Sequence, residues 1–189
     1  SLEPRFAMHT LTEYPPLCVM LAMLSVAAVS DYRIGLIPNS VIAWGAAAGV
    51  LVQLPTALLG QASVGSILQR IGLGFVLGSV LPLVLWGFGA LGGGDVKLFA
   101  AIGVCVWPFA VRAIELWAHV VALCFVPVQL LRSGSLLVTL RRSGRVLRNA
   151  FVPARLRTPL DPASFTSLRF APAILLAAIW VCVLGESWP

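Results

Sequence analysis

Charge is what this chain has least of. Charged residues fill 11% of its 189 positions, against about 25% in ordinary soluble domains. That is too little to coat a globular surface, which excludes a soluble domain. Only seven residues are acidic and only two are histidine, His9 and His119. No Ser/His/Asp or Cys/His catalytic arrangement competes for attention, and no metal site is expected. The four cysteines, Cys18, Cys105, Cys124 and Cys182, sit singly in apolar segments. None has the two-residue spacing of a zinc or redox motif, so they read as small buried hydrophobes.

What the chain has in abundance is apolar surface: 59% hydrophobic residues and a mean hydropathy of +0.97. Its net charge of +6 does not imply nucleic acid as a partner, because the basic residues punctuate long apolar runs, the pattern of a membrane protein. An all-α, polytopic membrane protein is the expectation, one domain over residues 8–189. The first seven residues, Ser1–Ala7, precede Met8 and read as an expression scar.

A hydrocarbon core about 30 Å thick needs about 20 helical residues. Six transmembrane helices are predicted, over 17–30, 39–54, 67–90, 96–110, 113–131 and 170–185, with a loop at 55–66. If the N-terminus lies outside, ten basic residues fall inside: Arg33, Lys97, Arg132, Arg141, Arg142, Arg145, Arg148, Arg155, Arg157 and Arg169. Only Arg5, Arg70 and Arg112 fall outside, which is a strong positive-inside signal. Both termini are thus expected outside the cytoplasm. Gly45-x-x-x-Gly49 and Gly74-x-x-x-Gly78 have the spacing that lets membrane helices approach closely. The stretch 132–169, with eight arginines and one acid, reads as a basic cytoplasmic loop. An amphipathic helix over 135–151 would lie on anionic lipid.

This topology puts Asp31, closing the first span, and Asp95, opening the fourth, at the same inner surface. Ionisable residues in membrane segments are functional candidates by default, although each also suits a plain helix cap. Asp95 follows Gly92-Gly93-Gly94, which opens backbone conformations closed to other residues and leaves no side chains beside the carboxylate. Asp31 precedes Arg33 and a tight turn through Pro38 and Asn39, where proline suits the start of a new helix. Lys97 and Arg33 suit either the site or the inner interface. Glu115 and Asp161 match no motif and are expected to be dispensable.

Asp31-x-Arg33 through Ile37-Pro38-Asn39, followed about 60 residues later by Gly92-x-Gly94-Asp95-x-Lys97-Leu98, resembles the type IV prepilin peptidase family. The likeness is to the small form found with Flp/Tad pili. Larger members carry paired CxxC motifs and also methylate the product; this sequence has no such motif, so methyltransferase activity is not implied. The resemblance implies a GxGD-type aspartyl protease with Asp31 and Asp95 as its catalytic pair and no cofactor. Gly92, Gly93, Gly94, Lys97, Arg33, Pro38 and Asn39 would shape the site or bind substrate. The implied substrate is a prepilin with a basic leader and an apolar helix, cut at their junction. Two close carboxylates sharing a proton suit that hydrolysis. A small transporter or channel relaying protons or cations through the same acids is the rival reading, and an assembly factor that keeps the fold is a third. The paired motifs favour the protease, and no internal repeat of the transporter kind is evident.

Overall fold

The computed structural model describes residues 3–60, 62–132 and 169–184, with isolated positions (134, 137–138, 141, 144–145, 148 and 152) between 133 and 168. All regular structure among them is helical: α1 (Glu3–Ile34), α2 (Asn39–Leu51), α3 (Leu54–Leu58), α4 (Val64–Gly87), α5 (Gly93–Cys105), α6 (Pro108–Arg132) and α7 (Ala171–Leu184). By contact, the chain divides into Ser1–Val121 with Arg169–Pro189, and Ala122–Leu168. The second unit holds the end of α6 and part of the arginine-rich stretch. Most of the amphipathic helix expected at 135–151 lies outside the described residues.

Each predicted span has a helix at its centre, but the lengths correct the count. Among the described residues three helices, not six, are long and apolar enough to cross a membrane: Pro15–Ile34 within α1, Val64–Gly87, and Pro108–Phe125 within α6. At 1.5 Å per residue, the 13 residues of α2 or α5 reach only about 20 Å. Local causes end both helices. Past Leu51, α2 meets Val52 and Gln53, and the short α3, with Pro55 in its first turn, follows where a loop was expected. Beyond Cys105, Val106 turns extended (φ −115°, ψ 170°), and Trp107 precedes Pro108, a position biased away from helix. The shorter α7 begins after Phe170 and is described to Leu184.

In the first unit α5 is the hub, packed against α4, α2 and α1, and α1 also packs on α2 and α7. All of α5 from Leu98 to Cys105 is buried, although it has no polar face to speak of. Glycines make this possible. A Cβ on Gly74 or Gly103 would run into the other residue's backbone carbonyl, and one on Gly78 would strike the Phe99 carbonyl. A Cβ on Gly45 would strike Met23, and one on Gly49 would strike Cys105. Both small-residue motifs are therefore internal contacts that draw α2 and α4 onto the α1–α5 core. Met20, Leu24, Phe99, Ile102, Ile114 and Ile174 fill the space between helices. Val26, Trp44, Leu68 and Leu116 remain exposed, an outer surface suited to lipid rather than water.

Candidate active site

Five helix ends gather at one end of this core: the end of α1, the start of α2, the end of α4, the start of α5 and the start of α7. Asp31 sits in the last turn of α1 and Asp95 in the first turn of α5, each 7% exposed. The turn that follows Asp31 lies against the residue that precedes Asp95, since a Cβ on Gly94 would stand 3.5 Å from Ile37, so the structure puts the two acids at the same end of the core. Sequence placed Asp95 just ahead of its helix. It lies inside instead, because Gly93 and Gly94 already have helical backbone and Gly92 is the N-cap.

Both carboxylates also cap helices, so the capping reading and the juxtaposition hold together. Asp95 Oδ2 reaches back to accept from the Gly92 amide at 3.2 Å, which satisfies a free donor of the first turn. Asp31 Oδ2 accepts from the Ala171 amide at 3.1 Å, so α1 supplies the cap of α7. Negative side chains suit these helix N-termini.

The glycine run does a narrower job than expected. Positive φ occurs at Gly35, Gly60, Gly89 and Gly134, and Gly92 has an ordinary φ of −78°. Left-handed backbone is therefore not what glycine supplies ahead of Asp95. Space is. A Cβ on Gly92 would lie 3.1 Å from Asp95 Oδ2, one on Gly94 would lie 3.5 Å from Ile37, and one on Gly93 would lie 3.6 Å from the Trp86 indole nitrogen.

The turn after α1 closes over this end. Pro38 (φ −63°) is the N-cap of α2, and its carbonyl accepts from Val41 and Ile42. Asn39 Oδ1 accepts from Lys97 Nζ at 2.9 Å. Lys97 therefore ties the start of α5 to the start of α2, while Ile37 covers Gly94. Arg33 is exposed beyond the buried face of α1. Among the described residues, no three His, Cys, Asp or Glu side chains converge as a metal would need.

Two features of this region were not foreseen. Arg169, counted only as an inner basic residue, donates to the Tyr32 carbonyl and stacks its guanidinium 5.3 Å from the Tyr32 ring centroid. His119 packs between Phe99 of α5 and Phe170 of the α7 N-cap, with centroids at 6.3 and 5.4 Å. Glu115, expected to be dispensable, is buried in an ion pair. It is 1% exposed and its Oε2 pairs with Arg112 at 2.7 Å, while Arg112 also donates to the Leu77 carbonyl of α4. The signal for Glu115 was present in the sequence, since a lone acid inside an apolar span needs a partner, and Arg112 lies three residues away.

Comparison with known proteins points the same way as the two motifs. No curated protein and no solved structure matches the chain. The model of the type IV leader peptidase family matches residues 18–128, more than half of the sequence, including Asp31, Asp95, the second half of α1 and all of α5. On that match, this chain belongs to the type IV leader peptidase family.

Proposed function

We propose that the protein is an aspartyl endopeptidase that removes the basic leader of type IV prepilins of the Flp/Tad kind at the cytoplasmic face of the inner membrane. The observation that carries this reading is the placement of two buried carboxylates, Asp31 and Asp95, from remote stretches of a leader-peptidase-family chain, at one end of the core. Peptide hydrolysis needs a water deprotonated as it attacks the scissile carbonyl and a proton delivered to the leaving amine. A carboxylate and a carboxylic acid side by side perform both transfers, and their mutual repulsion keeps one of them protonated. The pair acts as one titrating unit. No cofactor is required.

Charge supports the orientation. Arg33, Lys97 and Arg169 belong to the aspartate end of the core, which the positive-inside rule assigns to the cytoplasm. Helix α1 runs toward that end and α7 runs away from it, so both termini would point outward. The remaining arginines of 132–169 would meet anionic lipid. A leader with basic residues ahead of an apolar helix would present its junction here, where the backbone is extended and open to water.

The test is incubation of the purified protein with its prepilin, followed by mobility and mass of the product. A leader-sized loss is expected with the wild type, and none with Asp31→Asn or Asp95→Asn. Undiminished cleavage by either variant would remove the carboxylate pair from the mechanism.

A further inference from the structure

We propose that Arg169, together with the Ala171 amide, positions Asp31 by clamping the start of α7 onto the end of α1. The inference rests on the peptidase reading and adds a part to that site which no sequence motif marks.

The clamp is reciprocal. The last turn of α1 presents carbonyls without helical partners at the negative end of its dipole, and the Arg169 guanidinium binds one of them, that of Tyr32. Stacking on the Tyr32 ring fixes the guanidinium plane, an arrangement that lysine reproduces only in part. Two residues later the Ala171 amide, in the first turn of α7, donates back to Asp31. Arg169 thus caps α1, and Asp31 of α1 caps α7. With one Asp31 oxygen held by that amide, the orientation of the other is set.

The burial pattern separates the roles. Tyr32 is 67% exposed and Asp31 is 7% exposed, with Arg169 on the outside. Arg169 meets α1 from the surface, while its effect is delivered inside through the backbone of residues 169–171. It is therefore a positioning residue rather than a catalytic one. The arginine-rich stretch ends on this clamp, so its last residue is anchored to the helix that bears Asp31.

Steady-state cleavage of the prepilin by the full-length protein, with thermal unfolding measured in parallel, tests this. Arg169→Ala should lower kcat roughly 10- to 100-fold, the scale of a misplaced reacting group, with KM changed less than about twofold. Arg169→Lys should recover much of the loss. Ala171→Pro deletes the amide that binds Asp31 at the one helical position where proline is at home. It should lower kcat similarly and keep the helix. Because both changes release the same carboxylate, the double variant should be little worse than either single one. A KM effect without a kcat effect would make Arg169 a substrate contact and overturn the proposal. So would additive losses, or unfolding midpoints that fall in proportion to activity in every variant. A wild-type rate in Arg169→Ala, with Asp95→Asn dead, would sink this inference alone. Cleavage by Asp95→Asn would sink the peptidase reading beneath it.

Discussion

The two ends of α5 solve the burial of polar groups in opposite ways. At the Cys105 end, Gln53 is 1% exposed. Its amide nitrogen donates to the carbonyls of Gly49 at 2.6 Å and Val104 at 3.0 Å, and its amide oxygen accepts from Arg70. Arg70 in turn lies 5.1 Å from the Trp107 ring centroid. A neutral amide with its bonds made is a cheap thing to bury. At the Asp95 end, two acids are buried at one end of the core. Capping alone does not call for that choice, because an uncharged asparagine caps a helix as well and buried carboxylates are costly to ionise side by side. One end of the helix is built to hold the bundle together, and the other carries a cost that only chemistry explains.

That contrast breaks most visibly at the aspartates. Asparagine at 31 or 95 keeps an oxygen to accept from Ala171 or Gly92, and it removes one ionisable group from the buried pair. Asp31→Asn and Asp95→Asn should each lower kcat by roughly 10²- to 10⁴-fold, the scale of general acid–base catalysis. The thermal midpoint should stay the same or rise, in keeping with the usual trade between activity and stability. Calorimetry on the same samples used for cleavage reads both quantities. A lower midpoint in both variants would mean that the acids serve the fold.

The α4–α5 contact should show the reverse pattern. A methyl group at position 103 has no room, because it meets the Gly74 carbonyl and α4 must back away. Gly103→Ala should destabilise by about 1–3 kcal/mol, the usual range for overpacking, and lower the yield of folded protein. Activity per folded molecule should fall only as far as α5 shifts at its aspartate end. Gln53→Leu tests the closed network more gently. It deprives the Val104 carbonyl of its Gln53 donor and removes one acceptor of Arg70, at about 1–3 kcal/mol. Cleavage per folded molecule should be unchanged. A catalytic defect from Gln53→Leu without a stability loss would erase the distinction between the two ends.

Much of the aspartate end was legible in the sequence, for a physical reason. In a chain this poor in charge, an acid beside a helix break stands out, and Pro38 and Gly92 mark such breaks at both motifs. The helix centres were legible too, because apolar runs are long and their interruptions few. Helix lengths were not. Gln53 reads as one more interruption, but two of its hydrogen bonds depend on Val104 and Arg70, which lie further along the chain. Close contact of Gly74 with Gly103 is likewise invisible until α4 and α5 are side by side. Arg169 was hidden in plain view. Its basic neighbourhood suggested lipid, and nothing local shows that Phe170 and Ala171 return to Asp31 from 140 positions away.

The finest test of the contrast lies within the glycine run, where neighbouring positions should respond differently. A Cβ at Gly92 stands 3.1 Å from Asp95 Oδ2, so the carboxylate must give way by a few tenths of an ångström and lose its bond to the Gly92 amide. A Cβ at Gly93 stands 3.6 Å from the Trp86 nitrogen, an ordinary contact. Neither substitution meets backbone strain, since neither residue has positive φ. Alanine inside a helix is worth about 1 kcal/mol over glycine, so Gly93→Ala should stabilise slightly and leave kcat within about twofold of wild type. Gly92→Ala lies at the N-cap, where alanine gains nothing. It should lower kcat several-fold at unchanged KM, because only the orientation of Asp95 is disturbed. Equal rates for the two variants would mean that Asp95 is not held by the Gly92 amide during turnover.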